Sequence, residues 1–130
     1  MAIRRRRSKT KLIINEVPIS KNEYVNMHWA KRKVYKEDIS WIIFEKILNA
    51  DYSKSEFPLE KATVIFDIYF KSNRRRDMAN YLGGGLISWL DVLVDLKLIE
   101  DDSYDCIGMP FLFFHVDKAN PRTEITIEGR

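Results

Sequence analysis

The 130-residue chain has the length of one domain, and its 45% hydrophobic and 32% charged residues are typical of a globular protein. No stretch approaches the roughly 18 apolar residues of a membrane span, and the basic start has no apolar region behind it, so we expect neither a transmembrane role nor a secretory signal. One cysteine and two histidines exclude an intramolecular disulfide framework and argue against a structural zinc site.

Positive charge is concentrated at the start of the chain. Residues 1–11 hold six of the 22 basic residues and none of the 19 acidic ones, so the remainder is mildly acidic. Such a block of like charges is typical of a disordered arm that touches nucleic acid, and equally of a solubilising terminus. We predict a basic, flexible arm over residues 1–11 and one folded domain over residues 12–130.

The first half of the domain predicts a strand, a helix and a second strand. Residues 12–19 are largely apolar and end at proline and serine, which indicates a strand. Residues 37–48 carry apolar side chains at helical spacing, whereas residues 62–70 alternate with the period of a strand. Residues 21–36, between the first strand and the helix, are rich in basic and aromatic side chains.

The second half predicts one long helix and two further strands. Apolar residues at helical spacing predict a helix over residues 80–98, although Gly83–Gly85 interrupt its first turns at a cost of up to about 1 kcal/mol each. This cost suggests a break there, or close approach of another backbone. Residues 111–116 and 123–128 predict strands on either side of a turn. The pattern predicts a single α+β domain with a mixed β-sheet packed with two main helices.

The chemistry-bearing region lies between residues 71 and 105. Seven acidic residues follow a basic cluster there, against a single lysine. Carboxylates bind Mg²⁺ through oxygen, and neighbouring cations hold a phosphodiester, so this arrangement suits metal-dependent cleavage of nucleic acid. A solvated helix face explains Asp91 and Asp95 equally well, and a helix N-terminal carboxylate explains Asp77. The basic cluster consists of Lys71, Arg74, Arg75 and Arg76.

Three short motifs follow one another in the second half of the domain. Residues 75–80 read Arg-Arg-Asp-Met-Ala-Asn, residues 91–93 Asp-Val-Leu, and residues 100–102 Glu-Asp-Asp. These motifs resemble the RusA family of Holliday junction resolvases, whose pattern is an Arg-Asp-x-Asp-Asn motif opening a helix, an Asp-x-Leu segment within it, and an Asp-Asp pair beyond it. Residues 18–22, Pro-Ile-Ser-Lys-Asn, also resemble the family's start. The likeness covers most of residues 12–127.

The resemblance implies a homodimeric, Mg²⁺-dependent endonuclease that nicks four-way DNA junctions, with Mn²⁺ as a possible substitute metal. It implies catalytic and metal-binding roles for Asp77 and Asp102 and assigns Asn80 to the motif asparagine. The second motif aspartate is here Ala79, which cannot bind a metal. The family's lysine, one turn into the helix, has no counterpart near Gly83. Other carboxylates then become candidate metal ligands, namely Asp91, Asp95, Asp101 and Asp105, with Asp91 and Asp101 preferred.

A straight helix over residues 80–98 raises a geometric problem. Its ends would lie about 27 Å apart, yet two ligands of one Mg²⁺ each lie within about 2.1 Å of the ion. Within one chain, the helix must break at Gly83–Gly85 or the chain must turn back after Leu98. Alternatively, a two-fold dimer brings Asp77 of one subunit to Asp102 of the other.

Phosphate contacts are expected from the basic residues, giving salt-dependent binding that does not read bases. Tyr24, His28 and Trp29 either stack on unpaired bases or pack at the sheet edge, and for Trp29 we favour packing. The predicted DNA-binding residues are Lys31, Arg32, Lys33, Lys71, Arg74, Arg75, Arg76 and Asn80.

The leading hypothesis is a metal-dependent junction endonuclease in the cytoplasm of a bacterium or a phage-infected cell. One alternative is a junction-binding protein of the same fold that has lost a ligand at Ala79. Another is a small RNA-binding protein whose arginine arm is the main contact. Metal dependence separates the first two hypotheses, and deletion of residues 1–9 tests the third.

Overall fold

The computed structural model describes residues 8–130, and the first seven residues of the predicted basic arm lie outside this range. The strands of the described chain are β1 (Lys9–Ile14), β2 (Ala62–Phe70), β3 (Phe111–Val116) and β4 (Arg122–Gly129). They form one sheet in the order β1-β4-β2-β3. Pairing is antiparallel between β1 and β4 and between β4 and β2, and parallel between β2 and β3, so the predicted mixed sheet is confirmed.

β1 is displaced relative to the predicted strand over residues 12–19. It begins at Lys9, so the last three residues of the predicted arm belong to the sheet. Thr10, Leu12 and Ile14 are buried while the alternate residues are exposed, which is the period of a half-buried strand. The strand ends before Pro18, which has no backbone N–H to donate to a ladder.

The helices of the described chain include the two main ones that were predicted, α2 and α4. α2 begins at Trp29, eight residues before the predicted start, and His28 caps it by accepting a hydrogen bond from the N–H of Ala30 at 3.3 Å. The helices are α1 (Lys21–Asn26), α2 (Trp29–Asn49), α3 (Ala79–Leu82), α4 (Leu86–Asp95) and α5 (Tyr104–Ile107).

The predicted helix over residues 80–98 is divided into α3 and α4 by the three glycines. A Cβ on Gly84 would lie 2.6 Å from the backbone nitrogen of Lys21 and 2.7 Å from the carbonyl carbon of Ser20. The N–H of Gly85 also donates to the carbonyl of Ile19 at 2.9 Å. The glycines therefore provide both features expected of them, a break in the helix and close approach of another backbone.

The main helices cover one face of the sheet. Ile39 and Ile43 of α2 and Trp89 of α4 are buried in one core with the inward side chains of the strands. The Tyr35 hydroxyl accepts a hydrogen bond from Nε1 of Trp89 at 2.7 Å, which satisfies a buried indole and ties α2 to α4. The result is the single α+β domain that the sequence predicts.

Ion pairs cross the opposite face of the sheet. Glu124 of β4 binds Nζ of Lys11 at 2.7 Å and Nε of Arg122 at 2.9 Å. His115 of β3 bonds Asp67 of β2 at 2.8 Å. Within residues 8–130, no helix has both the length and the apolar character that crossing a bilayer requires.

Candidate functional site

The chain reverses direction immediately after α4. Lys97 adopts a positive φ of 64°, and the N–H of Leu98 donates to the carbonyl of Leu93 at 3.0 Å, closing the helix end. Both expected departures from one straight helix therefore occur. The helix breaks at the glycines, and the chain turns back at Lys97, just before the expected point.

This reversal places two carboxylates side by side. Leu59 holds the returning chain, because its carbonyl accepts a hydrogen bond from the N–H of Glu100 at 3.0 Å. Asp102 follows two residues later, and its negative charge acts on the carboxyl group of Asp91 on α4, whose pKa it raises. Two candidates separated by eleven positions in the sequence thus form one acidic site.

Asp91 is a residue of this site whose pKa is raised above its ordinary value. Burial raises the pKa of the Asp91 carboxyl, and the negative charge of Asp102 raises it further. Asp95, one turn along α4, adds a smaller effect in the same direction. Lys36 opposes these effects and lowers the pKa of Asp91. Asp91 and Asp95 thus share one nearby cation, Lys36.

Lys36 is a site residue that the sequence analysis missed. Its Nζ lies 3.2 Å from a carboxylate oxygen of Asp95 and 3.9 Å from one of Asp91. Lys36 lies three residues before the buried Ile39, so it shares the core-facing side of α2. Extending the helical period of residues 37–48 backwards would have placed this lysine on that side.

Asp77 is not brought to the acidic pair. It lies in the exposed loop before α3, and its carbonyl accepts a hydrogen bond from the N–H of Asn80 at 3.1 Å. Asp101 also points elsewhere and lines a shallow pocket with Val94 and Lys97. Within the described part of the chain, no three His, Cys, Asp or Glu side chains form a group placed to hold a metal ion.

The arginines of the basic loop after β2 differ in exposure and in role. Lys71, Arg74 and Arg75 are exposed. Arg76 is half-buried, with its guanidinium carbon 3.9 Å from the centre of the Phe70 ring. Its NH1 donates to the carbonyls of Ser72 at 2.8 Å and Arg74 at 2.9 Å. Arg76 thus shapes the loop, while its neighbours remain accessible to a phosphate.

A similar division occurs at the start of α2. Lys31 and Lys33 are exposed, whereas Arg32 donates through Nε to the carbonyl of Tyr24 at 2.9 Å. Its guanidinium also lies 4.7 Å from the centre of the Tyr24 ring. Arg32 therefore joins the end of α1 to α2, and Tyr24 is occupied by this contact.

Trp29 lies outside the core. Its side chain is 71% exposed at the first turn of α2, so the packing at the sheet edge that we expected is wrong. The neighbouring His28 is also exposed, and the two rings lie 5.4 Å apart. An exposed indole beside Lys31 and Lys33 is suited to stacking on a nucleic-acid base.

Comparison with models of known protein families and with the sequences of curated proteins gives no match. The likeness to the RusA family therefore rests on the motif residues themselves. Of these, Asp77, Asn80 and Asp102 are present and Ala79 departs.

Proposed function

We propose that this protein is a structure-selective, metal-dependent DNA endonuclease of RusA type, acting as a homodimer on four-way junctions. Its expected location is the cytoplasm of a bacterium or a phage-infected cell. The observation that carries the proposal is the pairing of Asp91 with Asp102. The charge of Asp102 acts unfavourably on the Asp91 carboxylate, and a divalent cation bound between them would relieve this repulsion.

The residues of the acidic pair suit Mg²⁺. This ion is usually held by one or two carboxylates and completes its octahedron with water and substrate oxygens, so Asp91 and Asp102 supply a sufficient protein contribution. A bound Mg²⁺ supplies a water of lowered pKa and neutralises charge on the phosphate. The charge of Lys36 favours the carboxylate form of Asp91 and so opposes the rise in its pKa.

Exposed cations are available to hold the DNA. Lys33 lies three residues before Lys36 on α2, which is about 4.5 Å along the helix axis. Arg74 and Arg75 extend from the loop that leads into Asp77. These side chains contact phosphate without reading bases, which fits recognition of a branched shape rather than of a sequence.

A two-fold dimer suits the proposed substrate. A four-way junction has approximate two-fold symmetry, and its resolution needs two symmetric nicks, so one site per subunit follows. Asp77 does not form a group with Asp91 and Asp102 within the described chain, so in a shared site it would be supplied by the partner subunit. Mixing Asp77→Asn with Asp102→Asn protein tests this, because a shared site restores nicking in the mixed dimers and separate sites do not.

Ala79 favours a second candidate, a junction-binding protein that does not cut. Ala79 is exposed at the first position of α3, where the family motif has its second aspartate. An alanine there removes one metal ligand while leaving the basic surface intact. Binding that is equally strong in Mg²⁺ and in EDTA, without nicks, is the expected behaviour of this candidate.

One experiment separates the candidates. The protein is mixed with a synthetic four-way junction or a matched linear duplex, in Mg²⁺, Mn²⁺ or EDTA, and analysed on native and denaturing gels. Paired symmetric nicks that need metal and disappear in Asp102→Asn support the endonuclease. Glu100→Gln is the matched control, since it removes an exposed carboxylate two residues away. Junction-selective binding without nicks supports the second candidate, and then Ala79→Asp is expected to produce metal-dependent nicking.

A further inference from the structure

β3 is an edge strand whose outer backbone groups have no hydrogen-bond partner within residues 8–130. The N–H of Asp117, just after β3, donates to the carbonyl of Phe70 of β2 at 2.9 Å. Alternate residues of a strand direct their backbone groups to opposite sides, so the odd-numbered residues of β3 bond to β2. The even-numbered residues direct their N–H and C=O groups away from the sheet; they are Leu112, Phe114 and Val116.

The side chains of β3 do not protect this edge. Edge strands are usually protected from pairing by lysine, proline, a bulge or an inward-pointing charge. β3 reads Phe-Leu-Phe-Phe-His-Val and pairs with β2 in an unbroken register. On the open face of the sheet, opposite the helices, Phe111 and Phe113 are 53% and 50% exposed. The other edge strand, β1, carries Lys9 and Lys11 on that face. β3 lacks this protection and is therefore suited to pairing with a further strand.

The C-terminal end of β3 is basic. Lys118, two residues beyond the strand, is exposed. The basic loop after β2 begins at this same end, because Phe70, the last residue of β2, is paired with Val116. Asp117 also lies here, but Arg122 binds its carboxylate at 2.8 Å. A partner at this end therefore meets net positive charge.

The N-terminal end of β3 is basic as well. Gly108, three residues before the strand, lines a pocket of about 450 Å³. Two cations, Lys61 and Arg130, line it too, against the single carboxylate of Asp105. Each of these cations donates a hydrogen bond to a backbone carbonyl of α5. An ammonium has three N–H donors and a guanidinium five, so both cations keep donors for a carboxylate of a partner.

We infer that β3 is the docking site of an extended, acidic peptide segment of another protein, which adds a fifth strand to the four-stranded sheet. The backbone of the peptide pairs with the outward groups of Leu112, Phe114 and Val116. Apolar side chains at every second position of the peptide pack on Phe111 and Phe113. Acidic residues at its two ends contact the cations at the two ends of β3.

The same charges oppose the other occupants of such an edge. In an antiparallel pair of two β3 strands, the basic C-terminal end of one strand lies beside the basic N-terminal end of the other, which places like charges together. A nucleic-acid strand suits the cations but has no row of amide donors and carbonyl acceptors for the edge. The inference does not rest on the proposed function, because peptide binding and DNA nicking are measured separately.

Hydrogen exchange of the full chain, followed by NMR, tests the pairing. The probe is the synthetic peptide Glu-Glu-Val-Thr-Val-Thr-Val-Glu-Glu, which reads the same in both directions and so presupposes neither parallel nor antiparallel pairing. With a dissociation constant of about 0.1 mM, about 1 mM peptide should slow the exchange of the outward amides about ten-fold. The amides of Phe113 and His115, which point to β2, should change less. Unchanged exchange at Leu112, Phe114 and Val116 overturns the inference.

Altered peptides and variants test what is recognised. A peptide with lysine in place of glutamate should bind at least about ten-fold more weakly, and N-methylation of its central residues should abolish binding. Phe113→Asp should raise the dissociation constant at least about ten-fold. Ile13→Asp is the matched control, since Ile13 is 48% exposed on the opposite edge strand, and it should bind as the parent does. Equal binding by the lysine peptide, or equal losses in the two variants, contradicts the inference.

Two further outcomes identify a different occupant. Exchange at the outward amides that slows with rising protein concentration, without peptide, would place a second copy of the chain on the edge. Slowing by a single-stranded oligothymidylate but not by the peptide would indicate a nucleic-acid site. Either result overturns the inference.

Discussion

Nζ of Lys36 on α2 lies 3.9 Å from a carboxylate oxygen of Asp91 on α4. Buried residues of α2 and α4 pack together in one core, so this packing, rather than a flexible loop, sets the position of Lys36 beside the acidic pair. In the family that the motifs resemble, a lysine stands on the motif helix itself, where this chain has Gly83. Lys36 thus brings a positive charge to the candidate site from a different element.

Removing this charge should change the pH dependence of nicking. Lys36 lowers the pKa of Asp91, so Lys36→Gln raises that pKa further. If Asp91 acts as a carboxylate, the acid limb of the pH–rate profile then moves to higher pH. Lys33→Gln is the control, because it removes an exposed lysine from the same helix and should weaken DNA binding without moving the limb. An unmoved acid limb in Lys36→Gln would show that Asp91 does not titrate in the reaction.

The strands were predictable where burial alternates cleanly. In β2, Ala62, Val64 and Phe66 are buried and the residues between them are half-buried, so the period of two alone fixes both ends. The first turns of α2 were not predictable in this way. Trp29 and Val34 face solvent, which hides the helical period that the buried residues of the same helix show further on.

The candidate site was predictable in its residue types but not in its grouping. The motif gave Asp77 and Asp102, and the acidic segment gave Asp91. Their arrangement depends on the positive φ of Lys97, a backbone conformation that few residues other than glycine adopt and that no pattern signals. The separation of these residues in the sequence also gives no indication that Lys36 of α2 lies near Asp91 and Asp95 of α4.

A methyl group at Gly84 should destabilise the fold. The Cβ of Gly84→Ala would lie 2.6 Å from the backbone nitrogen of Lys21, and neither backbone can move without disturbing α1 or α3. We expect a loss of about 2–3 kcal/mol in the free energy of unfolding, measured by urea titration. Gly83→Ala is the matched control. Its nearest contact is 3.4 Å, so we expect no loss and a gain of up to about 1 kcal/mol, because alanine restricts the unfolded chain more than glycine does. Equal stability of the two variants would contradict the close approach.

The arginines of the basic loop should separate into binding and structural residues. Arg75 is exposed, so Arg75→Ala should lower the slope of log K against log salt for junction binding by about 1 while leaving stability unchanged. Arg76→Lys keeps the charge but loses the planar group stacked on Phe70 and its bonds to the loop carbonyls. It should lower the melting temperature and leave the salt slope close to that of the parent. A reversed pattern, with the salt slope sensitive only to position 76, would contradict the structural role of Arg76.

The ion pairs on the open face of the sheet should make the free energy of unfolding depend on pH in the acidic range. The hydrogen bond from Lys11 holds the pKa of the Glu124 carboxyl below its ordinary value, and Arg122 adds to this effect. Because the pKa is lower in the folded than in the unfolded state, this stabilisation is present above the unfolded pKa. It is lost as pH falls through the folded pKa.

Glu124→Gln tests this at two pH values. Glu124 is buried and accepts two charged hydrogen bonds, so the variant should lose about 1–3 kcal/mol at pH 7, measured by urea unfolding. The gap between parent and variant should narrow at pH 3, because the Glu124 carboxyl is then protonated in the unfolded parent, which lowers its free energy of unfolding. Some acid dependence should remain in the variant, since Arg122 also lowers the pKa of Asp117. A gap as wide at pH 3 as at pH 7 would mean that the charge of Glu124 contributes nothing and that its packing alone stabilises β4.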